Sequence, residues 1–431
     1  MSFRTPDTLE TRVGQMLFVG FEGLQAPAYL LDWLRDGRVG GVILFARNVE
    51  SPSQVAALTR SLHEAATYGA LITIDQEGGT VARLRDGFGE SPGAMALASA
   101  RDGERLTERV SHMLAVELRA LGIDWDYAPV VDISYNAANP SVGTRSFGSD
   151  PVRIGALAAA AVRGFQRGGV AACVKHFPGL GDTPVDTHLA LPALDTPVDH
   201  LLAHDLVPYR AAIAAGVASV MVTHVMYNAL DPQRPATLSP VVVTRLLRGE
   251  LAFDGVVTTD CLEMRAIADH YSPGETAVLA ALAGIDAILF SHTRATQEAA
   301  YAGLLDAARS GRLPESIIDG ANRRLAAIKA AYVRAETPLS VIGTPEHDAI
   351  GQEAARAGVT LIRQGSALPL RGKVGVIEFA SVLESGIVES GGQSGFARLL
   401  KTRLPETEVI TRMSSADPSA ALTPAGGGGT G

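Results

Sequence analysis

Short apolar runs recur along the chain and alternate with longer stretches of helical periodicity. Each run is rich in Val, Ile and Leu and has the length of a buried strand. The eight runs are residues 14–21, 41–47, 70–76, 123–133, 170–177, 217–224, 253–260 and 285–291. Strands that alternate with helices form parallel βα units, so the pattern predicts a closed (β/α)8 barrel of the TIM type. An open doubly wound α/β sheet is the alternative.

Two of the intervening stretches carry clear helix signals. In residues 102–122, apolar side chains recur near a 3.6-residue period, and Gly122 follows as a stop signal. In residues 150–169, Asp150 is placed to cap the first turn and Pro151 suits the first helical position. These signals support the α/β assignment.

The pattern changes after residue 334, where a connection containing Pro, Thr and Gly replaces the alternation of strands and helices. Beyond it, strands are predicted at 373–380 and 408–413 and a helix at 394–404. The predicted divisions are a catalytic barrel domain at 1–334, a linker at 335–348, a partial, sandwich-like α/β second domain at 349–413, and a flexible Gly-rich tail at 414–431.

Composition narrows the class of protein. The chain has 431 residues, of which 47% are hydrophobic and 19% charged, and this composition indicates a globular protein with a large core. The net charge of −9 and the scattered Arg residues argue against a nucleic-acid partner.

The N-terminus lacks the features of a signal peptide and no apolar stretch has the length of a spanning helix, so we expect a cytoplasmic protein without a membrane partner. Cys173 and Cys261 are expected to be buried thiols.

Polar side chains cluster where several apolar runs end. They are Asp75 to Glu77, Asp132, Lys175 with His176, His224, and Asp260. In a (β/α)8 barrel the carboxyl ends of all eight strands lie at one face, and that face carries the active site. The sequence therefore predicts a functional site at this end of the barrel.

The densest of these segments is residues 175–192. Within it, Asp186 and His188 are separated by one residue, so a tight turn would let the carboxylate accept a hydrogen bond from one ring nitrogen. That arrangement orients a catalytic histidine. The alternative is a loop held in place by hydrogen bonds from these side chains to the backbone.

The other segments are less specific by themselves. Asp260, at the end of the seventh run, suits a nucleophile, a metal ligand or a helix cap. Asp75 lies at the end of the third run, and Arg83 follows it at a distance along the chain that allows its side chain to reach the same pocket. Arg145 lies in a Gly- and Ser-rich loop after the fourth run, where a surface role is the alternative.

Four motifs, in order, resemble those of bacterial β-N-acetylglucosaminidases of glycoside hydrolase family 3, of the cell-wall recycling type. They are IDQEGG at 74–79, RSFG at 145–148, KHFPGLGDTPVDTH at 175–188 and FDGVVTTDCLEM at 253–264. The resemblance runs from about residue 10 to 334. It implies a (β/α)8 barrel that performs retaining exo-hydrolysis of terminal, non-reducing β-linked N-acetylglucosamine.

The resemblance also implies roles for single residues. Asp260 would be the nucleophile and His188 the acid/base, with Asp186 as its partner. The N-acetylglucosamine unit would be held by Asp75, Arg83, Arg145, Lys175 and His176. The expected substrate is an oligosaccharide or muropeptide with terminal N-acetylglucosamine, and neither a cofactor nor a metal is implied.

Four positions depart from the common family pattern. Thr80 and Leu180 stand where Arg and His are frequent, and Thr187 and Cys261 stand where Ser and Asp are frequent. The nucleophile and the dyad are unchanged, so we expect the reaction to be retained. The departures put the preference for the leaving group in question.

The histidine leaves the acceptor of the sugar open. A neutral imidazole does not repel an incoming phosphate as a carboxylate would, so an N-acetylglucosaminide phosphorylase is one alternative. A metal-dependent barrel hydrolase is another, because imidazole and carboxylate groups at strand ends suit zinc and similar ions. Its ligands would come from His176, Asp182, His188, His224 and Asp260.

Overall fold

The structure, a computed structural model, describes residues 4–137, 139, 141–183, 185–333, 337–362, 375–380, 400, 402–404 and 408–413. Contacts between Cα atoms divide the chain into two units, Met1–Val359 and Thr360–Gly431. The predicted domain limits stay predictions, and the tail at 414–431 lies outside the described residues, as does most of the helix expected at 394–404.

Short, largely buried strands form the centre of the first unit. The strands of the chain are β1 (Leu17–Val19), β2 (Gly41–Leu44), β3 (Leu71–Ile74), β4 (Trp125–Asp126), β5 (Ala171–Phe177), β6 (Ala193–Leu194), β7 (Ser219–Val222), β8 (Met226–Tyr227), β9 (Val256–Thr259), β10 (Ile288–Phe290), β11 (Gly375–Ala380) and β12 (Glu408–Met413).

Eight of these strands form one parallel sheet in the order β10-β1-β2-β3-β4-β5-β7-β9. A parallel bridge between Thr258 and Ala287 joins the last strand to the first, so the sheet is a nearly closed barrel. Each of the eight apolar runs contributes one strand, and the predicted (β/α)8 barrel is confirmed. The small strands β6 and β8 pair separately.

Helices follow the barrel strands and cover the outside of the sheet. They are α1 (Leu9–Gly14), α2 (Ala28–Asp36), α3 (Pro52–Ala65), α4 (Ala94–Ser99), α5 (Gly103–Ala120), α6 (Pro151–Arg167), α7 (Val198–His200), α8 (Val207–Ala214), α9 (Arg265–Ala268), α10 (Pro273–Ala283), α11 (Arg294–Arg309), α12 (Glu315–Tyr332) and α13 (Pro345–Gly358). Two wider, π-helical segments occur at Leu201–Asp205 and Val241–Glu250.

The helix start predicted at Asp150 and the helix end predicted at Gly122 are both present in the structure. Asp150 accepts hydrogen bonds from the backbone of Val152 and Arg153 at the start of α6. Gly122 has a φ of +74°, which ends the segment after α5 in a conformation that suits glycine. These local signals position α5 and α6, which pack against each other outside β4 and β5.

The barrel interior is filled by large side chains. Phe18 and Trp125 meet edge to face with their ring centroids 5.7 Å apart, and the Trp125 indole donates to Ser219 Oγ at 2.8 Å. Cys173 is buried in the same cluster. Because this layer blocks the barrel, a ligand reaches only the loops and strand ends above it.

Outside the barrel, α13 is held to the α5 side of the first unit. Glu353 accepts from Arg109 at 2.6 Å and from Arg105 at 2.8 Å, and His347 Nδ1 lies 2.5 Å from Glu117. In the second unit, β11 and β12 form a parallel pair at the positions predicted for strands. Within the described part of the chain, no helix combines the length and apolarity needed to span a membrane.

Candidate active site

Polar side chains converge at the carboxyl end of the barrel. Asp75 follows β3, His224 follows β7 and Asp260 follows β9, while Lys175 and His176 lie near the carboxyl end of β5. The parallel topology places these strand ends at one edge of the barrel, as the sequence predicts. The loop of residues 178–192, which we call the β5–β6 loop, lies at the same end.

A buried network of alternating charges lies at the ends of β3 and β5. The Lys175 ammonium is 2.7 Å from Asp75 Oδ1 and 2.7 Å from Glu77 Oε1. Arg145 donates to both oxygens of Glu77, at 2.8 and 2.7 Å. The nearest atoms of Arg83 and Asp75 are 3.8 Å apart. The structure therefore brings together four of the five residues predicted to bind the sugar.

The charges in this network stabilise each other. Burial by itself would raise the pKa of Glu77, but Arg145 and Lys175 hold that pKa well below its ordinary value. For Lys175, burial opposes the charge, and Asp75 and Glu77 overcome it and raise its pKa. Glu77 and Lys175 are therefore ionised at neutral pH. The network presents both donors and acceptors suited to sugar hydroxyls and an acetamido group.

Glu77 is a central residue that the sequence-based assignment of roles did not include. It occupies two of the Arg145 nitrogens, and the third donates to the Ser141 carbonyl oxygen at 2.8 Å. Arg145 thus has a strong partner within the protein in addition to any contact with a ligand. The position of Glu77 two residues after Asp75 was the available signal, but its partner could not be read from the sequence.

The fifth predicted residue, His176, is fixed by a buried carboxylate. Its Nδ1 lies 2.7 Å from Asp132 Oδ2, and Asp132 also accepts from the His176 backbone at 3.2 Å and from the Leu180 backbone at 2.7 Å. Asp132 was noted only as a strand-end residue. It links the end of β5 to the start of the β5–β6 loop, so it positions both.

The predicted pairing of Asp186 and His188 is present. His188 Nδ1 lies 2.8 Å from Asp186 Oδ1, and the His188 backbone donates to the same oxygen at 2.9 Å. Burial opposes ionisation, but these hydrogen bonds hold the pKa of Asp186 below its ordinary value. Asp186 is therefore a carboxylate that accepts a hydrogen bond from Nδ1–H, which makes Nε2 the nitrogen that can exchange a proton with a ligand.

Asp260 lies at the end of β9 as a partly exposed carboxylate. The backbone nitrogen of Cys261 donates to its Oδ1 at 2.7 Å. Burial alone would raise its pKa, but the charges of His224, His176 and His188 together bring the pKa below its ordinary value. Asp260 is therefore an ionised carboxylate within electrostatic range of three histidines, of which His188 is one.

His224 was noted at a strand end and was considered only as a possible metal ligand. It is fully buried, with Nδ1 2.7 Å from Thr237 Oγ1 and Nε2 2.9 Å from the Cys261 carbonyl oxygen. Burial lowers its pKa. The Cys261 carbonyl oxygen can only accept, so His224 Nε2 carries a proton and donates to it, and this contact fixes the residue that follows Asp260.

Comparison with known proteins agrees with this arrangement. The model of the glycosyl hydrolase family 3 N-terminal domain matches residues 8–328, which is more than half of the chain. The chain belongs to glycosyl hydrolase family 3. The match covers all eight barrel strands and every residue of the site described above.

Similar proteins in the family include β-hexosaminidase A of Pseudoalteromonas piscicida, 34% identical over 81% of this chain. The aligned region is 64% of that relative's length, so the chain spans just under two thirds of it. The β-hexosaminidase of Stenotrophomonas maltophilia (strain K279a) is 40% identical over 67% of this chain and 86% of its own length.

Among solved structures, the family 3 β-N-acetylglucosaminidase from Paenibacillus sp. str. FPU-7 superposes with a TM-score of 0.89 and 41% identity. The match covers 94% of this chain and 80% of that one.

The histidines that were considered as metal ligands make hydrogen bonds within the protein. His176 and His188 each direct Nδ1 at a carboxylate, and both nitrogens of His224 have protein partners. Across the described ranges, no group of three or more His, Cys, Asp or Glu side chains is arranged to hold an ion. Cys173 and Cys261 are buried free thiols, as predicted.

Proposed function

We propose that the chain is a retaining exo-β-N-acetylglucosaminidase that releases terminal, non-reducing β-linked N-acetylglucosamine. One observation carries the proposal: an imidazole oriented by a carboxylate, His188 with Asp186, lies within electrostatic range of the ionised Asp260. The names of the similar proteins, β-hexosaminidase and β-N-acetylglucosaminidase, support the same activity.

In the proposed reaction, Asp260 attacks the anomeric carbon while His188 gives its Nε2 proton to the leaving oxygen. A glycosyl–Asp260 ester forms and the leaving group departs as an alcohol. His188 is then neutral and takes a proton from water, whose oxygen attacks the anomeric carbon and regenerates Asp260. Because imidazoles gain and lose protons near neutral pH, one residue can serve both steps.

The charged network supplies the proposed sugar site. Asp75 has acceptor capacity beyond its bond to Lys175, and Arg83 lies beside it. Lys175, His176 and Arg145 complete the set that we propose to contact N-acetylglucosamine. Rigid ion pairs hold these groups in place before the substrate arrives, which reduces the cost of ordering them on binding.

We also propose a physiological setting. The expected substrates are cell-wall fragments or chitin-type oligosaccharides with a terminal N-acetylglucosamine, and the expected role is cytoplasmic recycling of peptidoglycan. A comparison of kcat/KM for a muropeptide and for chitobiose tests this part separately. A strong preference for chitobiose would contradict the recycling role and leave the reaction type intact.

The reaction is tested with an aryl β-N-acetylglucosaminide. Asp260→Asn should abolish turnover, and His188→Ala should lower kcat/KM by about 10²- to 10⁴-fold, the usual contribution of a general acid and base. The matched control is Asp254→Asn, which changes an exposed aspartate on the same segment and should leave activity unchanged.

Proton NMR of the first-formed sugar should show the β anomer, and mass spectrometry of a slowed reaction should find the sugar on Asp260. Parent-like activity of either active-site variant would contradict the proposal, as would release of the α anomer.

A phosphorylase is the second candidate, because the proposed acid/base is an imidazole whose neutral form carries no charge to repel phosphate. Turnover of the glycosyl–enzyme by phosphate would release N-acetylglucosamine 1-phosphate. Product analysis with and without phosphate separates the two. A hydrolase should turn over at the same rate in the presence and absence of phosphate, and it should form no sugar phosphate when phosphate is present.

A further inference from the structure

A cluster of aromatic and charged side chains lies on the barrel rim, at the ends of β2 and β10. The ring centroids of Phe45 and His292 are 5.4 Å apart and their planes are inclined by 35°. The Arg47 guanidinium also lies over the Phe45 ring, 4.2 Å from its centroid. Phe45 is buried and His292 is exposed, so the pair presents the imidazole outward. We call Phe45 and His292 the rim pair.

The rim pair is firmly held. Arg47 donates to the Ser291 carbonyl oxygen at 2.7 Å and to the Phe21 carbonyl oxygen at 3.0 Å. Glu263 accepts from the His292 backbone at 2.6 Å, and Glu263 is only three residues beyond Asp260. The backbone of His292 is therefore fixed both from the β1 side and from the segment that carries the nucleophile.

This position is next to the reaction centre. Ser291, the residue before His292, donates through Oγ to Cys261 Sγ at 2.7 Å, and Cys261 follows Asp260. On the other side, the Arg83 guanidinium is 5.6 Å from the Phe45 ring centroid. The rim pair thus lies between the proposed nucleophile and one end of the proposed sugar site.

The segment that follows the nucleophile also joins the rim pair to the loop of the proposed acid/base. The backbone nitrogen of Ala266 donates at 3.3 Å to the carbonyl oxygen of Thr187, the residue before His188. Glu263, in the same segment, accepts from the His292 backbone, so the rim pair and His188 border the same end of the barrel. His188 must touch the glycosidic oxygen to protonate it, so the atoms beyond that oxygen pass beside His188.

We propose that His292, supported by Phe45, is a specificity-determining residue that forms the platform for the sugar of the leaving group. The inference rests on the proposed function, since it takes His188 as the proton donor. An aromatic face offers rigid apolar area to the C–H face of a pyranose, and the imidazole nitrogens can bind a hydroxyl group. The residue contributes through binding of the leaving group and not through bond cleavage.

Two donors separate this role from the reaction itself. N-acetyl-β-glucosaminyl fluoride has no sugar as its leaving group, whereas chitobiose has one. His292→Ala should lower the ratio of kcat/KM for chitobiose to that for the fluoride by about tenfold, or about 1.4 kcal/mol, mainly through KM. His292→Phe, which keeps an aromatic face, should recover most of the ratio.

His204→Ala is the matched control, because His204 is another exposed histidine and its ring stacks on His200 at 4.6 Å. It should leave the ratio unchanged. The inference is overturned if His292→Ala leaves the ratio unchanged, if both donors are affected equally, or if His204→Ala reproduces the loss. A parent enzyme that hydrolyses neither donor would refute the proposed function and the inference with it, whereas a normal parent with an unchanged ratio refutes the inference alone.

Discussion

Glu77→Gln should be among the most destabilising conservative changes in the barrel. The side chain of Glu77 is 6% exposed, accepts two hydrogen bonds from Arg145 and pairs with the Lys175 ammonium at 2.7 Å. Glutamine keeps the size and one acceptor oxygen but removes the charge. Arg145 and Lys175 would then share Asp75 as the remaining anion of the network, and the new amide would direct its N–H groups at a cation.

The magnitude follows from burial. Removing one partner of a buried ion pair typically costs about 3–5 kcal/mol, because the remaining charge stays buried without compensation. The side chains of Arg145 and Lys175 are 8% and 2% exposed, so water cannot replace the lost carboxylate. We therefore expect the free energy of unfolding to fall by about 3–5 kcal/mol, and we expect KM to rise because the sugar site loses its rigid support.

Urea unfolding followed by fluorescence and circular dichroism measures the change. The matched control is Glu10→Gln, whose carboxylate is 45% exposed and pairs with Arg309 at 2.9 Å. Because surface pairs contribute little, the free energy of unfolding of the control should stay close to that of the parent.

A Glu77→Gln variant within about 1 kcal/mol of the parent would refute the reasoning. If that variant does not fold, adding Arg145→Met provides the test, since removing both partners costs less than removing one. A double variant that is less stable than the single one would also contradict the argument.

Three further predictions concern stability and the β5–β6 loop. Burial raises the pKa of Asp126 to about 8, so it is neutral in the folded protein, and stability falls as the pH rises from about 4 to about 8. Asp126→Asn should remove that dependence, which amounts to at most about 1.4 kcal/mol per pH unit. Parallel curves of stability against pH for the variant and the parent would contradict this prediction. A Cβ at Gly181 would lie 1.6 Å from the Ile133 carbonyl oxygen, so Gly181→Ala should displace the loop and lower kcat/KM about 100-fold. In the control Gly249→Ala, the added Cβ would lie no closer than 3.6 Å to a neighbouring atom, and activity should stay near that of the parent. Asp150→Ala removes the cap of α6 and should cost about 1 kcal/mol in chemical denaturation, and an unchanged midpoint would count against the cap.

The sequence by itself was sufficient for the barrel and for the end at which the site lies. Burial on both faces requires apolar strands, so eight runs of Val, Ile and Leu identify them, and capping signals such as Asp150 are local. The pairing of Asp186 with His188 was also predictable, since the two residues are close enough in sequence for one turn to join them.

The tertiary structure decided which distant residues act together. Glu77 pairs with Arg145 across 68 residues and with Lys175, Asp132 reaches His176 across 44, and Phe45 meets His292 at the rim. None of these pairs has a local signal, because their geometry is set by the closure of the barrel, which brings strand ends together irrespective of their separation along the chain. Strand-end position therefore showed that these residues belong to one site, and only the folded barrel showed which charge neutralises which.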